Sequence, residues 1–268
     1  MRCNVSTLFF FLLSAFISGC GGSATTTSSP TAYPNLTGNW SIFVVPNNPQ
    51  VGSITFGGSI TNSSGSVSGM LHAQGSACYP ISQDVPVSGS LTPLGNVTLT
   101  STAVAGQTLT ITALSNSVYV PATNPQVMFG NFTISGGCAD GESGTVNGLV
   151  APSLNGVYAG TFQTVTGSTF GASISLLQGG PNVDGQYSVS GSVVFTGSPC
   201  FSTGAIASST IFGDYSDVTI NTNDGGTMEF RGITFSPITT PMSILVEYYR
   251  ITGGACDGQT GGGQITAS

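Results

Sequence analysis

The sequence predicts an all-β protein made of two tandem, small antiparallel meander barrels of about eight strands each. Three observations lead there. The hydrophobic period is two: Thr108-Leu109-Thr110-Ile111-Thr112-Ala113, Val97-Thr98-Leu99-Thr100, Ser173-Ile174-Ser175-Leu176 and Thr227-Met228-Glu229-Phe230-Arg231 alternate apolar with polar. That alternation marks strands with one wet face, and no window carries a convincing helical period. The stretches between are turn-formers, such as Asn62-Ser63-Ser64-Gly65, Asp184-Gly185 and Asn223-Asp224-Gly225-Gly226. Finally, the body of the chain is written twice. Leu36-Thr37-Gly38-Asn39-Trp40 is echoed by Leu154-Asn155-Gly156-Val157-Tyr158, Gly75-Ser76-Ala77-Cys78 by Gly197-Ser198-Pro199-Cys200, and the run from Ile134 to Gly141 by that from Ile251 to Gly258.

The chain opens with Arg2 and a short apolar run, Leu8 to Phe16, closed by Ile17-Ser18-Gly19-Cys20. The run is too short to span a bilayer and ends in small residues, the pattern of a signal peptide. Its last four residues match the lipobox, and residues 1–19 resemble a bacterial lipoprotein signal peptide. The resemblance implies diacylglyceryl attachment to Cys20, cleavage before it, and acyl chains (palmitate among them) as the membrane contact. Gly21 in place of Asp, by analogy with the enterobacterial sorting rule, points to the outer membrane. Residues 20–35 are then the lipidated cysteine and a Gly/Ser/Thr/Pro-rich tether.

Two β domains follow, 36–150 and 154–268, joined by Ala151-Pro152-Ser153. In the second copy the strand candidates lie near 156–163, 170–178, 186–196, 203–211, 215–221, 226–231, 243–251 and 261–267. Cys3 leaves with the signal, and four cysteines remain beside Cys20, two in each copy. An even count in an exported repeat predicts one bridge per domain, Cys78 with Cys138 and Cys200 with Cys256. In an up-and-down count these cysteines fall in the turns after strands 3 and 7, on one rim. Each bridge would close a long loop and contribute on the order of 3–4 kcal/mol. β-Sandwiches are the alternative, but an immunoglobulin-type bridge lies mid-strand with a Trp between its cysteines, whereas Trp40 precedes all four. The run Leu36-Thr37-Gly38-Asn39-Trp40 is similar to the first strand of calycin barrels, the avidins and lipocalins. The resemblance spans five residues and implies a barrel. A biotin site would want several tryptophans, and Trp40 is the only one.

Composition excludes whole classes of function. Only 5% of the residues are charged, with three Lys+Arg against ten Asp+Glu and a net charge of −7. Losing residues 1–19 removes Arg2, so Arg231 and Arg250 face ten acids, 2 − 10 = −8. Nucleic-acid binding has no clustered cations to work with. His72 is the single histidine, which predicts a surface or strand-end position rather than a catalytic triad or a zinc site. Asp140 with Glu142, and Asp214 with Asp217, are the closest approach to paired carboxylates. The second copy reads Asp257-Gly258-Gln259, however, so Asp140 and Asp257 are read as turn-shaping residues. Asn221-Thr222-Asn223-Asp224-Gly225-Gly226 is read as a hairpin turn. No metal, cofactor or catalytic residue is assigned.

The stretch Ile244 to Ile251 is apolar on both faces, which predicts that this strand makes a contact, between the two domains or with a partner. The expected function is that of a lipid-anchored envelope protein with a non-enzymatic structural or adhesive role. The alternative is a binding module for a small apolar or glycan ligand, using a barrel interior or rim. A glycan-active enzyme ranks below both.

Overall fold

The structure is a computed structural model, described here for residues 32–50, 52–116, 126–235 and 242–268. The expected signal peptide, Cys20 and most of the expected tether lie outside the described residues. Sixteen strands make up most of the rest, with one turn of 3-10 helix at Gly137–Ala139.

The first barrel runs β1 (Gly38–Pro46), β2 (Ile54–Ser63), β3 (Ser66–Ala73), β4 (Asp84–Leu91), β5 (Asn96–Ser101), β6 (Thr108–Asn116), β7 (Val127–Ser135) and β8 (Ser143–Val150). The second runs β9 (Gly156–Thr164), β10 (Thr169–Gln178), β11 (Val189–Thr196), β12 (Thr203–Phe212), β13 (Tyr215–Thr222), β14 (Thr227–Phe235), β15 (Ser243–Thr252) and β16 (Thr260–Ala267). Each strand pairs antiparallel with the next, and β8 closes onto β1 as β16 closes onto β9. Two closed eight-strand meander barrels result, so the barrel, not the sandwich, is the architecture. Closure leaves no unpaired edge, the hazard of open sheets. The eight strand candidates of the second copy all form.

Period-two alternation does the sorting. On β1, Trp40, Ile42 and Val44 point inward while Phe43 and Val45 are exposed; on β5, Val97, Leu99 and Ser101 point inward. Both interiors are filled with side chains, the usual state of an eight-strand barrel without a ligand. Trp40, Phe56 and Phe132 are fully buried in the first, as are Tyr158, Phe162 and Tyr249 in the second. In the second barrel Phe162, Phe170, Phe195, Phe201 and Tyr249 form a chain of aromatic contacts with centroids 4.7–6.0 Å apart. The Trp40 indole N–H donates to the Leu36 carbonyl at 2.7 Å, tying the segment before β1 to the core.

Both expected disulfides are present. Cys78–Cys138 and Cys200–Cys256 have Cα separations of 5.5 and 5.8 Å and close loops of 60 and 56 residues. The loops they join sit on the rim reached after β3 and β7, and after β11 and β15. The opposite rim of the second barrel, where β9 begins, meets the outer wall of the first. There the β12–β13 turn and the loop after β10 lie across β1, β2 and β3.

Candidate functional site

Several of the polar residues that could carry chemistry lie at the contact between the barrels. Asn39 and Ser41 are on the outward side of β1. The Asn39 side-chain amide donates to the Gly213 carbonyl at 2.9 Å, and its oxygen accepts the Gly213 N–H at 2.7 Å. The Asp214 carboxylate accepts from Ser41 Oγ at 2.8 Å and from Gln74 Nε2 at 2.6 Å. Phe212, fully buried yet outside either barrel core, packs its ring 5.2 Å from the His72 ring and 4.7 Å from Tyr215.

The fit depends on glycine at two positions. Gly213 has φ +60°, and a Cβ there would come within 2.8 Å of Gly57 Cα and 2.9 Å of the Trp40 carbonyl. A Cβ on Gly57 would in turn collide with the Phe212 carbonyl. Backbone thus rests directly on backbone.

His72 is not at the surface. It points outward from β3, but the second barrel covers it completely. Its Nε2 lies 2.7 Å from the Asp184 carbonyl, which can only accept, so this nitrogen carries the proton. Its Nδ1 faces the Asp84 carboxylate at 2.9 Å. Through this Nε2 bond His72 holds the loop after β10 against the first barrel, while Nδ1 makes no hydrogen bond and full burial keeps the ring from any nucleophile. Sequence reading missed this because a period-two strand marks which side chains leave the core, not which of them a neighbouring domain then covers.

The strand 244–251 was expected to make a contact, between the two domains or with a partner. Its inward residues Ile244, Val246, Tyr249 and Ile251 are core, whereas Glu247 and Tyr248 are exposed, with Tyr248 47% accessible. The interdomain hydrogen bonds come instead from Gly213, Asp214 and Asp184. The apolar look of this strand has a local cause. Opposite β16 its register shifts between Val246 and Tyr249, a bulge that turns two successive residues outward and breaks the alternation.

The carboxylates serve turns and interfaces. Asp140 accepts the Gly136 N–H at 2.6 Å and Asp257 the Gly253 N–H at 2.8 Å, the same bond in both copies. Glu142 reaches Asn48 at 3.1 Å. Asp214 and Asp217 part company, the latter pairing with Arg231 at 3.1 Å. Asp224 closes the β13–β14 turn by accepting from Thr222 Oγ1 at 2.6 Å and Gly226 N at 3.2 Å. It also reaches the Ala255 N–H at 2.9 Å, beside Cys256. The Thr222 hydroxyl and these backbone donors hold its carboxyl below the usual range.

One buried residue the sequence did not flag is Gln107. It is fully buried, donates to the Cys78 carbonyl at 2.9 Å and accepts the Ala139 N–H at 3.0 Å, bracing both loops that the first disulfide joins.

Among the described residues, a groove open to a ligand lies on the outer wall of the second barrel. It measures about 700 Å³ and runs over β15, β16 and β9, lined among others by Leu245, Glu247, Tyr248, Thr161, Gln163 and Gln264. A smaller hollow of about 370 Å³ adjoins it at the disulfide rim and shares Thr164 and Val165 with it. Among the described residues no cluster of three or more His, Cys, Asp or Glu side chains is placed to hold a metal. No protein-family model matches the chain, and no curated protein matches it either.

Proposed function

We propose that this is an exported envelope protein, acylated at Cys20 and held on the outer membrane, with a non-enzymatic structural or adhesive role. The observation that carries the reading is the use to which the polar side chains are put. His72 and Asp214 fix one barrel on the other, while Asp140, Asp224 and Asp257 shape turns. Each is engaged in holding a turn or the junction together. The filled interiors favour the outer wall over a calyx as the place where a ligand would be met. The low cationic charge also supports anchoring through acyl chains rather than by adsorption to anionic lipid.

Labelling cells that make the full chain with an alkyne fatty acid tests the anchor. The expected result is label on Cys20 and protein in the outer-membrane fraction, both lost in Cys20→Ala. An unacylated protein free in the medium would overturn the anchor, and turnover of any glycan or ester substrate by the purified chain would overturn the non-enzymatic role.

A further inference from the structure

The two copies share fold, bridge and turn carboxylates, yet they differ on one face of the outer wall. In the first barrel, Phe43, Asn147 and Phe129 face outward in a row across β1, β8 and β7, and Thr145 stands one step along β8. The strands there keep a regular register. In the second barrel the position of Thr145 is taken by Gly262, and β15 bulges opposite it. Gly262 is held to glycine by that bulge, since a Cβ would approach the Val246 carbonyl to 2.9 Å. The middle strand of the three therefore presents no side chain at this point, while its neighbours present Glu247 and Tyr248 on one side and Gln163 on the other. Two strand spacings separate those walls, roughly 10 Å. The trench is built by the bulge and the glycine together, and the first copy has neither.

We propose that this trench, over Gly262 between Tyr248 and Gln163, is a binding site for a neutral oligosaccharide. A pyranose ring has an apolar C–H face and a rim of hydroxyls that both donate and accept. The trench offers the matching set: an exposed tyrosine ring, and amide and hydroxyl groups from Gln163, Gln264 and Thr161, which donate and accept in turn. Its one charge is the Glu247 carboxylate, which accepts from hydroxyls and repels phosphate, sulfate and uronic acids. The volume suits a ligand of more than one ring, and the adjoining hollow at Thr164 and Val165 lets the chain continue toward the disulfide rim. The inference deepens the adhesive reading above and supplies its ligand class.

The test uses the full chain, purified from whichever fraction holds it, with maltohexaose, cellohexaose and chitohexaose as probes and oligogalacturonate as the acidic control. Saturation-transfer NMR and titration are expected to show binding of at least one neutral hexasaccharide. Tyr248→Ala should weaken it roughly tenfold, Gln163→Ala should weaken it less, and Tyr248→Phe should retain most of it. Both side chains are outward-facing, so unchanged melting temperatures confirm that folding is intact. Silence with all three neutral probes, preference for oligogalacturonate, or binding untouched by Tyr248→Ala would each overturn the proposal. Because the assay does not depend on acylation, a protein found free in the medium that still binds through Tyr248 keeps the trench and removes only the anchor.

Discussion

Asn39 and Gly213 exchange both of their hydrogen bonds across the junction of the two barrels. A side-chain amide on β1 thereby does for Gly213 what a neighbouring strand would do for a residue in a sheet. Both groups are buried, so neither could turn to water if the other were lost.

Replacing Asn39 with Ala should therefore destabilise the junction by about 1–3 kcal/mol, the penalty for stranding the Gly213 backbone groups. Calorimetry would register it as a single unfolding transition splitting toward two, each barrel melting with less support from the other. An unchanged single transition would show that this exchange does not couple them.

Gln107 braces the first disulfide from inside. Gln107→Ala removes a donor from the Cys78 carbonyl and an acceptor from the Ala139 N–H, and should destabilise the first barrel by about 2 kcal/mol. Denaturant titration of Trp40 fluorescence reads that barrel selectively, since Trp40 is the single tryptophan and lies in its core.

Each bridge closes nearly sixty residues, for which the loop-entropy relation gives about 4 kcal/mol. Cys78→Ala with Cys138→Ala should lower the Trp40-reported midpoint strongly. The pair Cys200→Ala with Cys256→Ala should affect mainly the second barrel. Non-reducing peptide mapping that found Cys78 linked to Cys200 would contradict the pairing.

The phenol of Tyr249 is buried without a hydrogen-bond partner, and burial pushes it up to about 12 from the ordinary 10. A raised folded value favours the neutral form in the folded state. Its contribution is thus complete below pH 10 and is lost as pH climbs from 10 toward 12, while the unfolded phenol ionises. Tyr249→Phe should flatten that part of the stability–pH curve and leave stability at pH 7 unchanged or higher. The repeat has already made a related exchange: the first copy carries Phe132 at this place and Tyr79 beside its cysteine, where the second carries Phe201. An alkaline limb equally steep in Tyr249→Phe would locate the sensitivity elsewhere.

The barrels and their bridges were legible because closed antiparallel sheets obey local rules. Alternation at 108–113 and 173–176, turns at Asn62–Gly65 and Asn223–Gly226, and a cysteine pair in each repeat are all short-range signals, and repetition doubled them. The junction and the trench were not legible, for two different reasons. Asn39 and His72 sit at outward positions of ordinary strands, and only the placement of the second barrel turns outward into buried. Ile244 to Ile251 read as apolar on both faces because a bulge at Glu247–Tyr248 shifts the phase of the alternation midway. A period counted along one strand cannot register an extra residue that is defined only against its partner, β16.

The junction described above is assembled from glycine backbone, carbonyls, neutral amides and the His72 ring, with the carboxylate of Asp214 meeting a hydroxyl and an amide rather than a cation. Attractions between opposite full charges weaken as salt is added, because mobile ions screen them over a distance of about 10 Å at 0.1 M. The two Asn39–Gly213 bonds, buried between two walls, offer those ions no path. The angle between the barrels is consequently set by contacts that a change of ionic strength leaves in place.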